Sequence, residues 1–136
     1  MITVIDTNVF VSALLTPFRS PARILDLLLF GELTVGYDDR IMAEYRSVLA
    51  WPKFGFAAGS VAELLVYVET TGIPVSARPL PVELPDPDDA MFLEVAAALQ
   101  SILITGNLRH FPPEQCHGVS VMAPADFLRA WQQQSR

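Results

Sequence analysis

Four polar stations recur along the chain where a strand gives way or a helix opens. They are Asp6 after Met1-Ile2-Thr3-Val4-Ile5, Glu44 within a helical stretch, the cluster Asp86-Pro87-Asp88-Asp89, and Asn107 in Thr105-Gly106-Asn107. Three of the four bring carboxylates. Carboxylates gathered without cations repel one another and become partly protonated, whereas hard, oxygen-preferring ions such as Mg²⁺ or Mn²⁺ hold them ionised and close. Zinc chemistry lacks material: Cys116 is the only cysteine, and His110 and His117 are the only imidazoles. Cys116 reads as a packing residue and both histidines as surface or loop residues. Each acid also has a plainer reading. Asp6 could close a turn, Asp38 or Asp88 could cap a helix, and Glu44 could be a solvated helix residue; only the spacing taken together favours a metal site.

The elements that would position these groups alternate. Met1–Ile5 is a β-branched apolar run with the composition of a buried strand, and in open α/β sheets the crevice beyond the carboxyl ends of the strands is where ligands bind. After a short helical turn, Thr16–Pro21 carries two prolines and reads as a loop, followed by a helix from Ala22 through Phe30 that stops at Gly31. A strand is expected over Glu32–Tyr37, then a helix from about Asp39 to Ala50, capped by Asp38 or Asp39 and carrying Glu44. Trp51-Pro52 breaks it, and Ser60-Val61-Ala62-Glu63 reads as a capping box for a helix through Glu69 that stops near Gly72. Ile73–Val75 is a third strand, and Arg78–Pro85 is extended and proline-rich. Asp88 then caps and Asp89 opens a helix bearing Met91, Phe92, Val95, Ala96 and Leu99. Strands at Ser101–Ile104 and Val119–Met122 follow, and a helix from Pro124 to Trp131 closes the chain. Strands separated by helices imply right-handed crossovers and a three-layer α/β/α architecture with a central parallel sheet.

With 136 residues and 51% hydrophobic content, the chain is expected to form one domain spanning 1–136. Met1-Ile2-Thr3 lacks the charged start of a secretory signal, and apolar stretches such as Ile24–Phe30 are too short to cross a bilayer, so a soluble, cytoplasmic protein is expected. The net charge of −6 argues against broad, non-specific nucleic-acid affinity. Acids gathered round a cation invert the local field, however, and an acidic protein can then handle a phosphate substrate.

Taken together, Ile5-Asp6-Thr7-Asn8-Val9-Phe10, Glu44 on the helix after the second strand, Asp86-Pro87-Asp88-Asp89 leading to Phe92-Leu93 and Ala96, and Thr105-Gly106-Asn107 resemble the PIN domain, in the subgroup of VapC-like toxins of bacterial toxin-antitoxin pairs. The resemblance covers nearly the whole chain. It implies a metal-dependent endoribonuclease that hydrolyses RNA phosphodiester bonds with Mg²⁺ or Mn²⁺, the cation activating water and stabilising the phosphate. Asp6, Glu44 and Asp89 match the acids that gather the metal, Asn8 a residue that supports the site, and Thr105 one that braces it. Asn107 stands where the family usually has Asp; an amide oxygen can coordinate but brings no charge, and Asp86 is the nearby acid able to compensate.

Arg109 and His110, beside the metal edge, and the Arg19/Arg23 pair after the first loop are candidate contacts to the RNA backbone, against the plainer reading of scattered solvated cations. A homodimer and an antitoxin partner over a remaining apolar groove are expected from the resemblance and from the high apolar content. A phosphatase of the haloacid dehalogenase type would want Asp where Asn8 stands, and a receiver domain would want an acidic pair after strand one. The alternative in another class is a catalytically weak PIN-fold protein acting mainly as an RNA- or protein-binding module, which Asn107 makes conceivable.

Overall fold

The computed structural model describes residues 1–134. Strand β1 (Ile2–Ile5) lies at the centre of a five-stranded sheet, flanked by β2 (Thr34–Tyr37) and β3 (Ile73–Pro74) on one side and β4 (Ile102–Ile104) and β5 (Val121–Met122) on the other. Every pairing is parallel. A purely parallel sheet needs cover on both faces, which is why its strands read as continuous apolar runs instead of alternating ones. That cover comes from α1 (Thr7–Leu15), α2 (Ser20–Leu29), α3 (Asp39–Leu49), α4 (Ala58–Thr71), α5 (Ala90–Leu99) and α6 (Pro124–Gln134), completing the expected three-layer α/β/α arrangement.

The chain moves outward from β1 to β3 and then returns to β4 on the far side of β1, so the strand order reverses between β1 and β4. At such a reversal the connections leave in opposite directions and a crevice opens beyond the carboxyl ends of the strands. The register Ile5↔Ile104 sets Asp6 beside Thr105 at that crevice. Beneath it, α5 packs across β1, β2 and β4 with Phe92, Leu93, Val95 and Ala96 fully buried. Contact is close enough that a Cβ on Gly36 of β2 would lie 2.3 Å from Leu99 Cδ1, so any larger residue there would require the Leu99 side chain to move. No helix among the described residues is long and apolar enough to cross a membrane.

Several boundaries differ from the expectation. The short turn after β1 is a nine-residue helix, α1, because Val9, Phe10 and Ala13 give it a buried face. The loop before α2 is shorter than Thr16–Pro21: Pro21 sits in the first turn, where a missing N–H breaks no intrahelical bond. The Ser60/Glu63 capping box does not form. Helix α4 starts earlier, at Ala58, with Val61 N donating to Ala57 O at 3.1 Å, and its N-cap Ala57 offers no side-chain acceptor. Burial of Val61, Leu65 and Val68 sets its phase instead. Asp88 does not cap α5 either. The 3-10 turn Pro87–Asp89 intervenes, and Asp86 caps that turn, its Oδ1 accepting from Asp88 N at 3.0 Å. Asp38 does cap α3, accepting from Ile41 N at 2.9 Å.

Candidate functional site

Asp6 is fixed by the sheet before its side chain does anything: its N–H donates to Ile104 O at 2.9 Å, extending the β1–β4 ladder by one step. The carboxylate is 5% exposed. Its Oδ2 accepts from the Thr105 hydroxyl at 2.8 Å and from Asn8 Nδ2 at 3.3 Å. Thr105 in turn accepts from Asn107 N at 3.0 Å, so its hydroxyl is satisfied on both sides. Asn8 Oδ1 accepts from Gly106 N at 2.9 Å, and a Cβ at position 106 would come within 3.1 Å of that oxygen. The start of α1 and the end of β4 are thus tied together through Asn8 and Thr105, the two supporting residues expected from the sequence.

The other acids arrive from the helices. Glu44, half-buried on α3, accepts through Oε2 from the Thr7 hydroxyl at the start of α1. Asp89, buried at the N-cap of α5, has its Oδ2 2.9 Å from His110 Nδ1 in the 3-10 turn Leu108–His110. Each of the three carboxylates therefore has one oxygen held by a neighbouring side chain, the arrangement that fixes the orientation of an acid. Two of those neighbours, Thr7 and His110, were not read from the sequence in this role. Thr7 lies inside the Asp6-Thr7-Asn8 motif, but its partner is 37 positions away.

The acids feel one another. Burial pushes the Asp6 carboxyl up to about 6; the Thr105 hydrogen bond opposes this, and the charges of Asp89 and Glu44 add to it. Asp89 is also raised, first by burial, against its hydrogen bond to His110, and further by the charges of Asp86 and Glu44. Tyr45, next to Glu44 and fully buried, is raised by burial and by Asp6, Glu44 and Asp38; its hydroxyl donates to Ile5 O and its ring meets Phe10 edge-on at 4.9 Å. Among the described residues, no three or more Asp, Glu, His or Cys side chains are arranged to hold a metal ion. The donor chemistry nevertheless fits a hard cation: the groups are all oxygen, and Asp6 and Asp89 are buried, each with its proton affinity raised by burial and by neighbouring negative charge.

Asn107 closes the following turn with its backbone, its carbonyl accepting from His110 N at 3.1 Å, while its side chain makes no capping bond. Asp86 meets Asp89 through its backbone carbonyl, which accepts from Asp89 N at 3.1 Å, and through its charge, which raises Asp89. Arg109 is exposed in the same turn as His110. Arg19 and Arg23 are exposed at the start of α2 and pair with none of the acids.

One network went unread in the sequence. Arg40 pairs with Asp38 at 2.7 Å and with Glu94 at 2.8 Å, and Glu94 also accepts from Leu80 N at 2.9 Å. It joins α3, which carries Glu44, to α5, which follows Asp89, and to the proline-rich segment leading to Asp86. A signal existed: Glu94 is the one carboxylate within the buried run Met91–Ala96, and a buried acid demands partners.

Residues 3–109 match the PIN domain family. Protein MJ1680 of Methanocaldococcus jannaschii, itself uncharacterized, is 33% identical over 108 residues, covering 76% of this chain and 69% of that protein. Among solved structures, a chain of FitAB bound to an IR36 DNA fragment superposes with a TM-score of 0.62 at 19% identity, covering 91% of this chain and 95% of the other. A chain of VapBC2 from Rickettsia felis, bound to a DNA fragment from its promoter, gives 0.60 at 19% identity, covering 90% and 98%. At those identities the likeness is one of fold. The match over residues 3–109, together with a buried acid at the end of the central strand, leads to one conclusion: the chain belongs to the PIN domain family.

Proposed function

We propose that this protein is a divalent-metal-dependent endoribonuclease of the VapC-like kind, the toxin of a toxin-antitoxin pair, working as a single cytoplasmic domain over residues 1–136. The observation that carries the reading is Asp6: a buried carboxyl at the reversal of the sheet, raised to about 6 with help from the neighbouring charges of Asp89 and Glu44. Carboxyls perturbed by burial together with neighbouring charge in a crevice cluster at functional sites, and a cation would relieve both costs here. In this reading Asp6, Glu44 and Asp89 hold Mg²⁺ or Mn²⁺, with Asp86 and Asn107 at the margin of the site. A bound cation would supply activated water at neutral pH and charge to stabilise the phosphate as the bond to the leaving oxygen breaks.

The chain's own residues prepare that chemistry. Thr105 and Asn8 hold Asp6 towards the crevice, Thr7 orients Glu44, and His110 orients Asp89. Arg19, Arg23, Arg109 and the free edge of His110 offer contacts to the RNA backbone, which orient a strand without reading its sequence. The similarity to chains of FitAB and VapBC2, both solved as complexes, supports an antitoxin partner, and a homodimer is part of the same proposal.

Cleavage of a labelled single-stranded RNA with added Mn²⁺, and its loss in EDTA, tests the reading. Asp6→Asn, Glu44→Gln and Asp89→Asn should each remove most activity while the fold remains, and near-wild-type cleavage by any one of them would take that residue out of the site. A second reading is favoured by Asn107: a PIN-fold module that binds RNA or protein with little catalysis. RNA retained intact at every Mn²⁺ concentration would select it.

A further inference from the structure

The loop between α1 and α2 carries three unfavourable features at once. Phe18 is 93% exposed, the most exposed of the large apolar side chains. Its backbone is left-handed, with φ +68°, a conformation rare for a bulky residue and strained in it. Next to it, Arg19 at the N-cap and Arg23 in the first turn of α2 are joined by Arg23 N donating to Arg19 O, which brings two like charges together at the helix start. Like charges in that relation repel, and neither arginine belongs to an ion pair among the described residues. Among the described residues no ion pair offsets the two guanidiniums, and the ring of Phe18 stands uncovered.

A polyanion with accessible flat faces would satisfy all of them together. Phosphates would pair the two guanidiniums, and an unpaired base would cover the ring. The loop is also within reach of the acids. Helix α1 begins directly after Asp6, and nine residues at the helical rise place its far end only about 13 Å away. Helix α2 then runs down to β2, where Thr34 N meets Met1 O at the opposite edge of the sheet, so its Arg19 end lies on the side of the acids.

We propose that Phe18 is a base-stacking platform for single-stranded RNA, with Arg19 and Arg23 gripping the phosphates beside the stacked base. The inference rests on the ribonuclease reading and narrows its substrate class: a duplex hides its base faces in the stack, whereas a single strand offers them. Phe18 selects unpaired RNA, and the acids cut it a few nucleotides away.

The test is the binding of a fluorescent oligoadenylate, followed by anisotropy in EDTA so that nothing is cleaved, beside duplex RNA of equal length. Wild type should prefer the single strand. Phe18→Ala should weaken single-strand binding about five- to hundredfold and leave duplex binding unchanged, and Phe18→Trp should restore it. Arg19→Gln and Arg23→Gln should weaken both RNAs and flatten the salt dependence. Phe18→Gly should lose the same affinity while its melting temperature holds or rises, since glycine accepts the positive φ.

Single-strand binding by Phe18→Ala equal to wild type would overturn the platform and leave the ribonuclease reading standing. So would wild type that cleaves with Mn²⁺ yet does not bind the oligomer in EDTA, because stacking requires no cation. Intact RNA binding with lost self-association in Phe18→Ala would assign the loop to a protein contact and overturn the proposal. Wild type that neither binds nor cleaves RNA removes the ribonuclease reading, and the platform with it.

Discussion

Asp6 couples the site to stability. Its carboxyl, at about 6 in the folded protein against an ordinary 3.8, holds its proton more tightly when folded. The stability this gives is full below about pH 4 and is lost as pH rises towards 6, leaving the ionised group a cost of about 3 kcal/mol at neutral pH. The melting temperature of the EDTA-treated protein should therefore fall across that window, and Asp6→Asn should reduce the fall, leaving the part owed to the raised Asp89, and be the more stable form at pH 7. An unchanged slope in Asp6→Asn would mean another group is responsible. Mn²⁺ should reverse the loss at pH 7 in wild type and not in the variant. Asn107→Asp adds an anionic oxygen and should lower the metal concentration needed for half-maximal cleavage; an unmoved metal titration would remove Asn107 as a ligand. Asp6 and Thr105 were legible in the sequence because both sit directly after an apolar strand run. The pairings Thr7–Glu44 and Asp89–His110 were not, since nothing local records a partner 37 or 21 positions away.

Among the elements, α4 is held by packing at an end that lacks a cap. Ala57→Asp would supply the missing acceptor and should raise stability by about 1 kcal/mol in urea unfolding, with cleavage unchanged. The Arg40–Glu94 network works the other way. Glu94→Ala would leave the half-exposed Arg40 with Asp38 alone and Leu80 N without its acceptor, a loss of about 2 kcal/mol, whereas Glu94→Gln keeps an acceptor for Leu80 and should recover part of it. Equal stability of Glu94→Ala and wild type would show that the network holds nothing together. Most elements were visible as apolar runs between Gly, Pro and Asp, because local periodicity reports which face is buried. Their ends were less visible. The start of α4 follows from which side chains the core takes in, and a plausible Ser60/Glu63 box exerts too little against that burial; the Pro87–Asp89 turn exists because Asp86 caps it, a competition the sequence leaves open.

At the scale of the molecule, a groove of about 420 Å³ between α3 and α4 is lined by Leu49, Phe56, Val61, Leu65 and Val66, and Val66 is 62% exposed. Apolar surface of this kind fits the expected homodimer. Light scattering at tens of micromolar should report a dimer, and Val66→Glu should shift it to monomer; a monomeric wild type would count against the assembly. The α/β/α arrangement was readable from the alternation of runs, while the strand order was not, because nothing local tells the chain to return across β1 after β3. That return has a consequence for synthesis. Asp6 leaves the ribosome well before the hydroxyl that braces it, which belongs to Thr105, 99 positions later, and Asn8 waits for Gly106. Until β4 is made, β1 lacks one of its two neighbours and Asp6 has neither Thr105 nor a ladder bond to Ile104. A nascent chain that has not yet reached β4 therefore carries no assembled site: the acid is made first, and the groups that aim it arrive only with the far side of the sheet.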